Sequence, residues 1–216
     1  MKNFFSSWSG GKDSCFAFMQ AIAQDMQPCV LLNMMNENGM VSRSHAIPKD
    51  ILLQQAAMLN LPMITRPASW EGYEKIFIET LHTLKADFGI QAGVFGDIDL
   101  QPHRDWEEKV CSAAGIEAIL PLWLQDRKTL VYAMLEAGIE TYIVSCNETM
   151  GERFLGKKIT HALVDELEAI GIDACGENGE YHTLVVYTPM FKKRINVVFG
   201  ATRCHNQYWF IEMKLA

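Results

Sequence analysis

Through its first half the chain alternates short apolar runs with segments of helical periodicity, and that alternation leaves few folds open. Runs at 3–8, 28–35, 63–66, 93–96 and 118–123 read as strands, and the stretches 13–23, 49–59, 73–86 and 104–114 between them read as helices. Strand–helix–strand alternation builds parallel units, so the expectation is an α/β protein with a doubly wound, five-stranded parallel sheet. Ligands of such sheets gather beyond the carboxyl ends of the strands, where the strand order reverses.

After Trp123 the rhythm changes. A helix near 127–137 and a strand near 141–146 precede a glycine-containing connector at 151–156 and a helix near 160–170. Three β-rich runs then follow in quick succession, at 183–187, 195–199 and 208–213, which favours antiparallel pairing. The expected domains are therefore residues 1–123, the α/β part, and 124–216, a smaller α+β part.

The chemistry begins at Ser9-Gly10-Gly11-Lys12-Asp13-Ser14, between the first strand and the first helix. A glycine pair there lets backbone amides approach a phosphate, and the helix N-terminus adds N–H donors and partial positive charge. A Walker-type loop would need glycine where Ser6 stands and Ser or Thr where Asp13 stands, so that pattern fails at both ends. The plainer reading is a glycine turn capped by Ser9 or Asp13.

Composition narrows the partners. With 216 residues, 49% of them hydrophobic, the chain buries a substantial core, and its net charge of −7 argues against broad nucleic-acid binding. Lys192, Lys193 and Arg194 form the densest basic cluster and read as a solvated turn. Six cysteines are scattered without paired spacing, as in a reduced cytosolic protein, and no run approaches the roughly 18 apolar residues of a membrane span. The N-terminus carries no secretory apolar region, so the expected location is the cytoplasm.

Gly176-Glu177-Asn178-Gly179-Glu180-Tyr181-His182-Thr183 is the second dense signal. Two carboxylates, a tyrosine and a histidine just before a strand suit binding a cation, accepting a proton or holding an amine; a glycine-rich turn kept in water by its acids is the alternative. Asp97, after Gly96 at the end of the fourth strand, reads as a magnesium or nucleotide contact or as a turn and capping residue. His45 lies in a loop after the second strand, where it either reaches substrate or stays exposed. Trp123 reads as packing or as a ligand platform, and Lys157 as a surface lysine or a phosphate contact.

SGGKDS resembles the PP-loop of ATP pyrophosphatases, and together with GENGEYHT it resembles the diphthine-ammonia ligase family. Further matches are Ser44-His45-Ala46-Ile47-Pro48, Gly96-Asp97-Ile98, Pro121-Leu122-Trp123, Leu155-Gly156 and Pro189-Met190-Phe191; Asn178 stands where the family often has glycine. The resemblance implies an adenine nucleotide α-hydrolase-like (HUP) sheet of order 3-2-1-4-5. It also implies an AMP-forming ligase that activates a carboxylate as an acyl-adenylate for attack by ammonia. ATP and Mg2+ follow from it, with Ser9, Gly10, Gly11, Lys12, Asp13, Ser14, Gly96 and Asp97 around the nucleotide and Asp13 and Asp97 near the metal. Lys12, Asp13, His45, Glu177 and Glu180 are the implied catalytic set, the two glutamates for ammonium; Gly176, Gly179, Tyr181, His182 and Thr183 join them at the substrate. The implied partner is diphthine-modified elongation factor two in an archaeal or eukaryotic source, and another carboxylate otherwise, with Trp70, Trp123 and Tyr181 available to a quaternary cation. A homo-oligomer is compatible with this. The rival readings are a PP-loop pyrophosphatase acting on another small molecule or RNA, and a non-catalytic nucleotide-binding protein.

Overall fold

The computed structural model describes residues 1–216. Its first sheet comprises β1 (Asn3–Ser7), β2 (Gln27–Met35), β3 (Met63–Pro67), β4 (Ala92–Val94) and β5 (Glu117–Ile119). All pairs are parallel and the order is β3-β2-β1-β4-β5, so the five-stranded sheet and its order are as expected. The order reverses at β1, and the SGGKDS loop leaves the end of that strand.

Helices α1 (Lys12–Ala23), α2 (Lys49–Leu59), α3 (Tyr73–Phe88) and α4 (Gln101–Ala113) alternate with these strands. The core joins Phe5, Phe77 and Phe95 to Leu81, Val110 and Ile116, all buried. Phe5 meets Phe95 edge-on, with centroids 5.8 Å apart at 86°, the arrangement that aromatic quadrupoles favour. Helix α4 starts three residues before the expected Arg104 because Pro102 occupies its first turn, where a missing N–H costs nothing.

Beyond Leu124 come α5 (Arg127–Glu136), β6 (Glu140–Asn147), α6 (His161–Ala169), β7 (Tyr181–Tyr187), β8 (Val197–His205) and β9 (Tyr208–Leu215). The four strands make an antiparallel sheet in the order β7-β6-β9-β8. Asp126 caps α5 and Thr160 caps α6, each accepting from the backbone amide three residues on.

Contacts divide the chain into two compact units, and the division is not a single cut. The first holds Met1–Ser9, Asp13–Arg43 and Asn60–Leu124; the second holds Gly10–Lys12, Ser44–Leu59 and Gln125–Ala216. Thus α2, which sequence order places among the helices of the parallel sheet, and the middle of the SGGKDS loop both belong to the second unit. The buried face of α2 supplies the reason, since its Gln55 side chain donates to the Val185 carbonyl of β7 at 2.7 Å.

Candidate functional site

Within the second unit, the loop and the GENGEYHT segment are bonded to each other. The Gly10 carbonyl accepts from the Val185 amide at 2.9 Å and from the Gln55 side chain at 3.0 Å. Two residues on, the Lys12 amide donates to Thr183 Oγ1 at 3.0 Å. Gly10 has φ +89°, a conformation that suits glycine, and a Cβ there would lie 2.8 Å from Leu52 Cδ2. Gly11 is fixed by close approach instead, because a Cβ would fall 2.5 Å from His45 Cε1 and 3.0 Å from the Thr183 carbonyl.

His45 is part-buried and tied to that corner, with Nδ1 2.8 Å from the Thr183 carbonyl oxygen. A carbonyl can only accept, so Nδ1 carries the proton and donates. The His45 ring lies against that of His182, centroids 4.7 Å apart and tilted by 35°. Burial, reinforced by His45 and by the Lys12 charge, pushes the His182 imidazole well below its ordinary 6.5, so it is neutral at physiological pH. Lys12 is only 2% exposed; its ammonium donates to the Cys175 carbonyl at 2.5 Å and lies 5.3 Å from the Tyr181 ring centroid. The Tyr181 hydroxyl donates to the Ala174 carbonyl.

The two glutamates of the segment stand in different surroundings. Glu180 is buried, and its oxygens accept from the Asn178 amide and side chain, both at 3.0 Å, and from the Asp173 amide at 3.4 Å. Glu177 is part-exposed, and its amide donates to Asp173 Oδ2 at 3.1 Å. Asp173 also accepts from the Cys175 amide and pairs with the Arg127 guanidinium, so it is the hub on which the turn is built. The Gly179 amide donates to the Gly176 carbonyl at 3.1 Å, and the Gly179 carbonyl accepts from the Tyr208 hydroxyl at 3.0 Å.

In the first unit, Ser9 Oγ and Ser14 Oγ lie 3.0 Å apart. Asp13 stands in the first turn of α1, where an acid complements the helix dipole. The chain at Gly96 passes the start of that helix, leaving 2.7 Å between a notional Cβ and the Ser14 amide nitrogen. Asp97 accepts from His103 Nδ1 at 2.7 Å and is hydrogen-bonded to Glu107, a buried carboxyl on α4. Trp123 carries the Arg104 guanidinium 5.0 Å from its ring centroid; Trp70 is 74% exposed and carries Arg43 at 4.5 Å. Lys157 lies 4.7 Å from the Phe154 ring centroid and 3.8 Å from Glu166.

Sequence reasoning missed four of these residues. Gln55 left a signal, a polar residue among the buried positions Ile51, Leu52, Ala56 and Met58 of α2, and Glu107 shares a buried helix face with Val110 and Cys111 in the same way. Asp173 and His103 left none, because their partners are set by how turns fold. A phosphate suits what is present: a helix start, two serine hydroxyls, and backbone at Gly96 too close for any side chain.

The sheet order, with its SGGKDS loop at the reversal, defines a doubly wound α/β protein whose loop stands where such sheets bind ligands. Residues 2–118 match the diphthamide synthase N-terminal domain and residues 126–216 the diphthamide synthase C-terminal domain. The chain belongs to the diphthamide synthase family. It is 27% identical over 210 residues to a diphthine–ammonia ligase of Schizosaccharomyces pombe, covering 87% of this chain and 34% of that protein. The corresponding proteins of Mus musculus and Homo sapiens are each 26% identical, over 88% of this chain and 80% of theirs. The chain thus spans about a third of the yeast relative and four fifths of the mammalian ones. A solved structure described as a predicted subunit of tRNA methyltransferase from Methanocaldococcus jannaschii is 18% identical, with a TM-score of 0.48 over 90% of this chain and 100% of that one. No helix is long and apolar enough to cross a membrane.

Proposed function

We propose that the chain is an AMP-forming ligase of the diphthine–ammonia type, which activates a carboxylate with ATP and transfers it to ammonia. The observation that carries this reading is the bonding of the loop at Gly10 and Lys12 to Val185 and to Thr183 of the GENGEYHT segment, which makes one assembly of two motifs 160 and more positions apart. The substrate carboxylate attacks the α-phosphorus, pyrophosphate leaves, and ammonia displaces AMP from the acyl-adenylate. Loop amides and the serine hydroxyls hold the outer phosphates, so the α-phosphorus stays open to attack.

Magnesium, when bound, neutralises charge on the leaving pyrophosphate; such ions are held mostly by phosphate oxygens with one or two carboxylates, and Asp13 is the acid placed at the helix start. Asp97 has its carboxylate engaged by His103 and Glu107, and we assign it to fixing the end of the fourth strand. The acceptor we propose is diphthine, which the name of the relatives carries, and we place it on elongation factor two. The test is turnover of α-labelled ATP with ammonium and diphthine-bearing elongation factor two. Label in AMP is expected, with equimolar amide; label in ADP, or no acceptor-dependent turnover, overturns the reading.

A further inference from the structure

The ligase reading needs a group that takes a proton from nitrogen, and Glu180 of the loop is poorly placed for it. Glu180 has its oxygens committed to the Asn178 and Asp173 donors that shape the turn. His182, two residues further along, is different. The residue is half-buried, its ring lies against that of His45 at a tilt of 35°, and it stands opposite Ser145 of β6. The His45 ring in turn lies against Gly11 so closely that a Cβ there has no room. Gly11, His45 and His182 therefore form a contiguous row that starts in the phosphate loop.

We propose that His182 is the catalytic base of amide formation and that His45 is a positioning residue that holds the His182 ring. The inference rests on the ligase reading above. In the step, the ammonia lone pair forms the C–N bond to the acyl carbon of the adenylate, and the carbonyl π pair moves onto oxygen. The His182 lone pair then takes one N–H proton. The carbonyl re-forms, and the C–O bond to AMP breaks with its electron pair leaving on AMP.

The surroundings suit a base that must also let its proton go. The Nδ1–H of His45 is spent on Thr183, which fixes that ring's orientation. Lys12, from the start of α1, is the charged group facing His182, and with His45 it disfavours the imidazolium. The ring is consequently unprotonated before the step, and the partial exposure of the residue lets the proton pass to water afterwards.

The test compares two nucleophiles on full-length protein with diphthine-bearing elongation factor two and ATP. The ammonia adduct holds its N–H protons tightly and needs a base, whereas the hydroxylamine adduct is more acidic at nitrogen and loses its proton to water. His182→Gln is expected to lower the ammonium-dependent rate about 100-fold or more, the usual range for a general base, and hydroxamate formation by less than about tenfold. His182→Phe, which keeps a ring on His45, should behave the same way and carries the test if the glutamine variant is unstable. His45→Asn should depress ammonium use selectively but less. If both nucleophiles fall together in the His182 variants, or neither falls, the proposal is overturned while the ligase reading stands. If the wild type forms no AMP, the ligase reading fails and this proposal with it.

Discussion

Glu107 offers the sharpest test of the electrostatics. It is 4% exposed, is hydrogen-bonded to Asp97, and has Oε2 without a partner. Burial and the Asp97 charge push its carboxyl from 4.5 up to about 11. For Asp97, burial acts upward, but the hydrogen bonds from His103 and Glu107 outweigh it and leave the group lowered. Glu107 therefore carries a proton at neutral pH and donates it toward Asp97. The sign follows: the folded state binds a proton that the unfolded chain releases above 4.5, so stability drains away as pH rises from there toward about 11. From 4.5 to neutrality is roughly 2.5 pH units, and at 1.36 kcal/mol per unit the proton uptake costs about 3 kcal/mol. Glu107→Gln places an amide N–H where the acid O–H was and needs no proton. It should gain about 2–3 kcal/mol near pH 7, some 4–12 °C in Tm for a chain of this size, and almost nothing near pH 4.5. Guanidinium unfolding of both proteins from about pH 5 to 9 reads this directly, since the wild type should lose stability relative to the variant as pH rises. A variant no more stable than the wild type near neutrality, with the same pH slope, would show that Glu107 folds as a carboxylate.

Three further outcomes are expected. Gly11→Ala drives a methyl to within 2.5 Å of His45 Cε1, so it should cost about 1–3 kcal/mol and weaken ATP binding at least about tenfold by calorimetry; unchanged affinity would mean that the corner yields freely. Gln55→Leu removes the donor shared by the Gly10 and Val185 carbonyls and should destabilise by about 1–3 kcal/mol in denaturant unfolding, a loss under about 0.5 kcal/mol counting against the contact. Glu180→Ala strands the Asn178 and Asp173 donors, and should speed hydrogen exchange across 173–180 and cost about 1–3 kcal/mol; slow exchange in the variant would show that Asp173 holds the turn alone.

The parallel sheet was legible because short apolar runs mark its strands, and β1 and β2 were placed to within a residue at either end, whereas β5, expected over 118–123, ends at Ile119. Strand β8 was not. It was expected at 195–199 and runs over Val197–His205, where Gly200 to His205 are exposed and carry no apolar signal. It lies at the sheet edge, and pairing with β9 rather than burial makes it a strand. Ile195 instead donates to the Val186 carbonyl from outside any strand. The unit to which α2 belongs was equally hidden, since an amphipathic pattern says that a helix buries one face and not what covers it. The candidate site was legible through its two motifs, whereas the pairing of Asp173 with Arg127 and of Asp97 with His103 and Glu107 is set by how the chain folds.

The bonding of the loop explains why its glycines and its lysine carry separate burdens. The Gly10 carbonyl and the Lys12 amide are both taken by β7 residues, through the Val185 amide and the Thr183 hydroxyl, much as one strand receives another. The Lys12 amide would otherwise be one of the unsatisfied N–H groups at the start of α1. Because Thr183 satisfies it, anion binding by the loop must draw on other donors, and the Lys12 ammonium is held toward Cys175 and Tyr181. A loop fixed at alternate residues by a strand is rigid before any ligand arrives, and donors that need no reorganisation stabilise developing charge most effectively. The same bonds couple the loop to the segment that carries Glu177, Glu180 and His182. Substitutions in β7 should therefore be read on nucleotide binding and on amide formation together.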